Sequence, residues 1–171
     1  MIMLDLAIVT LRGEPDADAL NFGESDVHWC AGESKLLTYG RGSGNAGAEI
    51  HALELKATLP GASAGALPTH HYVVWTDIAE GWEEELDAWY AGEHMPGLAS
   101  VPGTVRARRF RCVDGRGPRS FAAYDLVGPD VLGSSPWLAV RGTEWSSRVR
   151  PQFRNTRRWM CRTLRHDALW C

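Results

Sequence analysis

The chain has no apolar run approaching the roughly 18 to 20 residues that a membrane span needs. Its start, MIMLDLAIVTLRGE, lacks the basic segment of a secretory signal. Both absences lead to the expectation of a cytoplasmic protein that neither enters a membrane nor carries a cleaved signal. The four cysteines, Cys30, Cys112, Cys161 and Cys171, show no C-x-x-C spacing, which argues against a zinc clip or a disulfide framework and makes reduced thiols the expectation. No convincing internal repeat is present, and the basic residues are not arranged as in a known nucleic-acid module. With a net charge of -3, nucleic acid is not an expected partner.

What is present is the composition of an ordinary globular chain, with 171 residues, 44% hydrophobic and 23% charged. That suffices for one domain or two small ones. The small net charge hides an asymmetry: 14 of the 18 Lys and Arg residues lie from Arg106 onward, whereas 16 of the 21 Asp and Glu residues lie before it. Arginines so placed either hold an anionic ligand or pair with the acidic half of the same chain or of a partner subunit. Pairing is the expectation.

Residues 58–68, TLPGASAGALP, carry little charge and much Gly, Ala and Pro, so they read as a linker between residues 1–57 and residues 69–171. In the first part, residues 4–11, 35–40 and 49–57 have strand character. So short a piece is not expected to fold alone; it packs on the second part as extra strands or as a degenerate copy of the same unit. Gly42-x-Gly44-x-x-Gly47 matches the dinucleotide fingerprint on paper. Period-two alternation follows it and no βαβ unit surrounds it, so a plain turn is expected.

The second part is clearer. Residues 70–78, HHYVVWTDI, are β-branched and aromatic and predict a strand. Residues 79–94 then predict a helix, with Trp82, Leu86, Trp89 and Tyr90 at helical spacing, stopped by Pro96 and followed by a Val101-Pro102-Gly103 turn. Strands are expected at 105–113 and 119–127 around the Asp114-Gly115-Arg116-Gly117-Pro118 turn. Helical stretches at 130–140 and 146–153 and a strand at 157–165 complete the order β-α-β-β-α-β, the ferredoxin-like split unit.

On a helical wheel, Trp82, Leu86, Trp89 and Glu93 share one stripe, and Tyr90 and His94 flank it together. Glu93 in that stripe needs a partner. Backbone N–H groups after Pro96 or an arginine such as Arg109 would serve, or Glu93 orients His94. An ordinary imidazole pKa of about 6.5 makes His94 the best acid–base candidate, against the alternative that it caps the helix carbonyls. Asp77 is expected to cap the following helix. His70 and His71 point to opposite sides of a strand and, with His94, lack a ligand spacing, so no metal is expected. The eight tryptophans serve mostly burial. Trp75, Trp82 and Trp89 are expected in the core, and Trp137, Trp145 and Trp159 along a cavity or an interface.

Taken together, Trp75-Thr76-Asp77, Trp89-Tyr90-x-x-Glu93-His94-x-Pro96, Val101-Pro102-Gly103, Arg109-Phe110 and Tyr124-Asp125-Leu126 resemble the EthD-like branch of the dimeric α/β-barrel superfamily. The resemblance covers about 100 residues, 70–164. It implies an α+β fold in which ferredoxin-like units close two antiparallel sheets into a barrel, across a dimer or as a pseudo-dimer, with helices outside and a ligand cavity within. Whether the first 57 residues form the second half-barrel stays open. Members include cofactor-independent monooxygenases, lactone isomerases, polyketide cyclases and heme enzymes, so the fold does not fix the reaction. The reading it supports is a small homodimeric enzyme without cofactor, acting on an aromatic or polyketide-like carbonyl compound. His94 would take a proton while Tyr90 or Tyr124 hydrogen-bonds the oxygen that gains charge. Arg109, Trp75, Asp77 and Trp137 would bind the substrate. The alternatives are a non-catalytic binding or assembly protein with a filled barrel, and a heme- or metal-dependent enzyme.

Overall fold

The computed structural model describes residues 1–16, 26–40 and 48–165; the glycine motif at 42–47 lies outside them. The strands are β1 (Met3–Thr10), β2 (Asp26–Cys30), β3 (Lys35–Gly40), β4 (Glu49–Pro60), β5 (His70–Ile78), β6 (Thr104–Cys112), β7 (Ser120–Leu126) and β8 (Phe153–Arg165). They close into one antiparallel barrel in the order β1-β3-β2-β8-β5-β7-β6-β4. Two quartets with the same internal order make up this ring: β4-β1-β3-β2 and β8-β5-β7-β6. They meet at two seams, β2 with β8 and β4 with β6.

The second quartet carries helices in the expected places: α1 (Glu83–Trp89) and α2 (Met95–Ala99) between β5 and β6, and α3 (Ser135–Arg141) and α4 (Glu144–Val149) between β7 and β8. The first quartet carries no α-helix among its described residues. The fold is thus the α+β, ferredoxin-like antiparallel barrel that the element order implied, and it closes within one chain. No second chain is needed to complete the sheet.

Strand alternation sorts the C-terminal sheet into two faces. Val73, Trp75, Phe110, Phe121, Ala123 and Trp159 point into the barrel core. Ala107, Ala122, Tyr124 and Leu126 point outward against Leu86, Trp89, Leu98, Trp137 and Val149 of the helices. Ser134 and Thr143 cap α3 and α4 by accepting from the amides of Trp137 and Ser146. At the turn into β6, Gly103 takes φ 95°, and a Cβ there would stand 2.5 Å from Val131. Only glycine fits.

Three expectations are corrected. Thr58, Leu59 and Pro60, placed in the linker by composition, are strand residues of β4 paired with Arg108, Ala107 and Arg106. Strand β2 was not foreseen because Asp-Val-His-Trp-Cys is buried at every position, so it shows no alternation. Lastly, Cys30 and Cys161 form a disulfide across the β2–β8 seam, 131 residues apart, where reduced thiols were expected. Strand pairing brings them together, and spacing in sequence carries no sign of it. Such a bond is typical of oxidising compartments, which weighs against the cytoplasmic expectation. No helix among the described residues is long and apolar enough to cross a membrane.

Candidate functional site

The helix after β5 does not stop at Pro96. It continues to Ala99 through a π-helical turn, Tyr90–His94, and Pro96 falls in the first turn of α2, where its missing N–H costs little. Such a turn adds a residue to the helical repeat and is frequent at functional sites; one residue corresponds to a rotation of about 100°. Trp89, Tyr90 and His94 are all buried as a result. Glu93 leaves the apolar stripe, is only half-buried, and accepts a 2.6 Å hydrogen bond from Thr143 Oγ1, the cap of α4. Neither Arg109 nor the turn after Pro96 is its partner.

His94 stacks on Trp89 with ring centres 4.0 Å apart and meets Tyr90 edge-on at 5.6 Å. Across from the helix, Tyr124 of β7 meets Trp137 of α3 edge-on at 5.5 Å, and Tyr72 of β5 meets the same Trp137 at 6.2 Å. These six side chains line one cavity of about 30 Å³, room for about one water molecule. His94, Tyr90, Tyr124 and Trp137, nominated separately from sequence, therefore converge. They do so between helices and sheet, on the outside of the barrel, where the cavity had been expected within it.

Two polar atoms in this cavity are unsatisfied. His94 Nδ1 and Tyr124 Oη are both buried without a hydrogen-bond partner among the described residues, and an unmet buried donor or acceptor costs about 1–3 kcal/mol. Arg141, Arg150 and Arg158 complete the lining, and none of them pairs with a carboxylate among the described residues. Burial, with Arg150 and Arg141 adding repulsion, lowers the His94 pKa to about 3, so the imidazole is neutral at pH 7. Burial likewise pushes Tyr90 and Tyr124 above the usual phenol range. Arg150 is lowered by burial and by its neighbours Arg141 and Arg158. The cavity is a neutral imidazole and neutral phenols under an uncompensated positive rim.

The remaining nominees lie elsewhere. Arg109 points to the helix side, with its guanidinium 4.3 Å from the Tyr90 ring centre and 3.3 Å from Asp87 Oδ1. Asp77 accepts from the Arg119 amide at 2.9 Å and from Asn155 Nδ2 at 3.0 Å. It caps no helix, because α1 begins after Trp82 with no side-chain cap. Arg109 and Asp77 line a separate groove of about 560 Å³ beside the start of α1, together with Lys56, Arg111 and Glu83. Trp75 belongs to neither place: it is buried inside the barrel and donates its indole N–H to the Pro118 carbonyl. A substrate-binding role for Trp75 therefore has no support in its position.

The barrel interior holds a polar network that sequence reading missed. Tyr39 Oη lies 2.9 Å from His71 Nε2, and His71 Nδ1 lies 2.7 Å from Asp125 Oδ1. Arg106 donates to Asp125 and Asp26, at 2.7 and 3.1 Å, and Arg108 bonds the same two carboxylates. His28 stacks on His71 at 3.8 Å. Although burial alone would raise it, Arg108, His71 and Arg106 hold the Asp125 carboxyl well below its usual range. Two carboxylates and two guanidiniums cancel in charge. Asp26 and the two arginines come from opposite halves of the chain, so the charge asymmetry in sequence is here resolved by internal pairing.

No family model matches the chain, and no curated protein sequence does. Solved structures do match in fold. An anthrone oxidase-like protein aligns at TM-score 0.59 and 14% identity, over 94% of this chain and 90% of its own. The heme-degrading enzyme of Listeria monocytogenes aligns at 0.56 and 8%, over 94% and 99%. A mutant chlorite dismutase of Candidatus Nitrospira defluvii, in complex with cyanide, aligns at 0.61 and 8%, over 94% and 90%. The likeness in fold runs along almost the whole chain. At such identities the likeness concerns architecture, and the EthD-like branch is not singled out by it.

Proposed function

We propose that the chain is a small enzyme that acts, without a cofactor, on an aromatic or polyketide-like carbonyl compound by acid–base chemistry in the His94 cavity. The observation that carries this reading is the pair of buried atoms without a partner among the described residues, His94 Nδ1 and Tyr124 Oη, beside three arginines that meet no carboxylate there. His94 accepts a proton from the carbon that the carbonyl activates. Tyr124, or Tyr90, donates to the carbonyl oxygen as it becomes an enolate. Arg141, Arg150 and Arg158 balance the charge so formed, which also relieves the repulsion that disfavours a protonated His94. Trp137 and Trp89 supply flat apolar walls. In this reading Arg109 and Asp77 bind no part of the ligand's reacting centre; they belong to the outer groove.

The cavity of about 30 Å³ is far below the roughly 300–1,000 Å³ of a ligand site. Entry of an aromatic ring therefore requires the arginine rim and Trp137 to move apart. This closure favours the second reading, a non-catalytic binding or assembly protein, over a heme enzyme. A heme macrocycle would need a larger displacement of these side chains than a single aromatic ring.

The test is exchange of the activated proton of a dihydroxyanthrone for deuterium in D2O, followed by NMR. The protein is expected to accelerate exchange, His94→Gln to lose about 100-fold or more, and Tyr124→Phe to lose at least tenfold. Exchange that is the same in His94→Gln as in the parent would remove His94 from the chemistry.

A further inference from the structure

At the end of the barrel, the β4–β6 seam brings together four side chains unrelated to the His94 cavity. His51 of β4 is fully buried. Its Nδ1 lies 3.1 Å from Asp114 Oδ2, and its Nε2 lies 2.9 Å from Glu49 Oε1. Cys112, at the end of β6, is a buried free thiol whose Sγ lies 3.2 Å from Asp114 Oδ1. The ligating atoms of His51, Cys112 and Asp114 all fall within 4.8 Å of one another. A tetrahedral zinc ion, with bonds of about 2.0–2.3 Å, sets its ligands about 3.3–3.7 Å apart, so small movements suffice.

We infer that His51 Nδ1, Cys112 Sγ and Asp114 bind a thiophilic divalent cation of the zinc class, with Glu49 holding the imidazole from behind. The donor set is that of zinc: one imidazole, one thiolate and one carboxylate, with a fourth position open to water. Glu49 supplies the carboxylate–histidine contact that fixes the tautomer of a metal-bound imidazole. The Cys112 thiol donates toward Asp114; the cation displaces that proton to solvent and takes the Nδ1 lone pair of a neutral imidazole whose Nε2–H faces Glu49. One thiolate and one carboxylate then neutralise the ion. Arg116 bonds Asp114 Oδ2 at 3.1 Å and also donates to the Ile50 carbonyl; the cation replaces the first of these contacts.

Placement adds a structural consequence. Glu49 and His51 come from the first quartet of strands, and Cys112 and Asp114 follow from the second. The ion would clamp the seam on the opposite side of the ring from the Cys30–Cys161 disulfide. The other cluster of this kind, His28 with His71 and Asp125, is a poorer candidate. It offers no thiolate, and two buried guanidiniums, Arg106 and Arg108, hold its carboxylate.

The experiment is titration of the chelator-treated, disulfide-intact protein with Co²⁺ in the absence of added thiol. One ion per chain is expected, with visible bands of a tetrahedral site and a near-ultraviolet thiolate-to-cobalt transition, both abolished by Zn²⁺. Cys112→Ser should lose the thiolate transition, and Cys171→Ser should keep it. Glu49→Gln should bind 10- to 100-fold more weakly. If Cys112→Ser does not fold, slowing of Cys112 alkylation by Zn²⁺ in the unaltered protein reads the same contact. Absence of tetrahedral bands, a transition that survives Cys112→Ser, or alkylation indifferent to Zn²⁺ would overturn the site.

Discussion

The two faces of the C-terminal sheet carry polar groups of similar kind and treat them in opposite ways. Inside the barrel, Tyr39, His71, Asp125, Asp26, Arg106 and Arg108 are bonded to one another and their charges cancel. On the helix side, among the described residues, His94 Nδ1 and Tyr124 Oη have no partner and three arginines have no carboxylate. The histidines and tyrosines are buried on both faces, but the arginines differ: Arg106 and Arg108 are buried, Arg141 and Arg150 are half-buried and Arg158 is exposed. What distinguishes them is charge pairing: inside, two carboxylates face two guanidiniums even though Arg108 Nε and His28 Nε2 find no partner among the described residues, whereas the arginines of the helix side face no carboxylate there and have capacity left for an anionic ligand.

The contrast is broken most severely from the barrel side. Asp125→Ala leaves Arg106, Arg108 and His71 without their shared carboxylate. Loss of one partner from a buried ionic network costs about 3–5 kcal/mol. Urea unfolding should show that loss, and a change below about 1 kcal/mol would mean that the network is not structural. Opening the β2–β8 seam with Cys161→Ala should follow at about 2–5 kcal/mol. Comparing it with the parent protein under oxidising and reducing conditions checks the cause, since reductant should bring the parent to the level of the variant.

The helix side responds to pH. The His94 pKa is near 3 in the folded state and about 6.5 when unfolded, so below pH 6.5 the unfolded chain binds the extra proton. Stability is therefore retained above pH 6.5 and falls as pH drops toward 3, by about 1.4 kcal/mol per unit for this residue. His28 and His71, also lowered by burial, act in the same direction. His94→Gln should thus reduce the loss between pH 6.5 and pH 5 by about 2 kcal/mol without removing it. An unchanged pH profile would place His94 in contact with solvent or charge that the cavity does not show. The smallest effect is expected for Tyr124→Phe, which deletes a hydroxyl without a partner among the described residues. Its unfolding free energy should stay within about 1 kcal/mol of the parent, even as exchange activity falls.

Much of this arrangement is legible in sequence. The β-branched and aromatic content of His70–Ile78 and the helical spacing of Trp82, Leu86 and Trp89 give the element order of the second quartet, with boundaries off by up to five residues. His94, Tyr90, Tyr124 and Trp137 were nominated before any of them could be placed together. Three features were hidden for physical reasons. Strand β2 is buried at every position and so has no period to read. The π turn depends on how Trp89, Tyr90 and His94 pack on the sheet, and a wheel of constant pitch cannot register the added residue. Trp75 and Tyr124 each sit in a strand buried on both faces, and composition does not say which face turns to the helices. The Cys30–Cys161 pair and the His51–Cys112–Asp114 cluster are products of barrel closure, since each joins residues from opposite quartets.

The central claim is that ligand binding occurs on the helix face and leaves the barrel network untouched. NMR of the protein with ¹⁵N-labelled histidine, titrated with a dihydroxyanthrone and assigned with His94→Gln, tests it most directly. The ring nitrogens of His94 should shift and saturate while those of His28 and His71 stay in place. A silent His94, or shifts centred on His28 and His71, would contradict it.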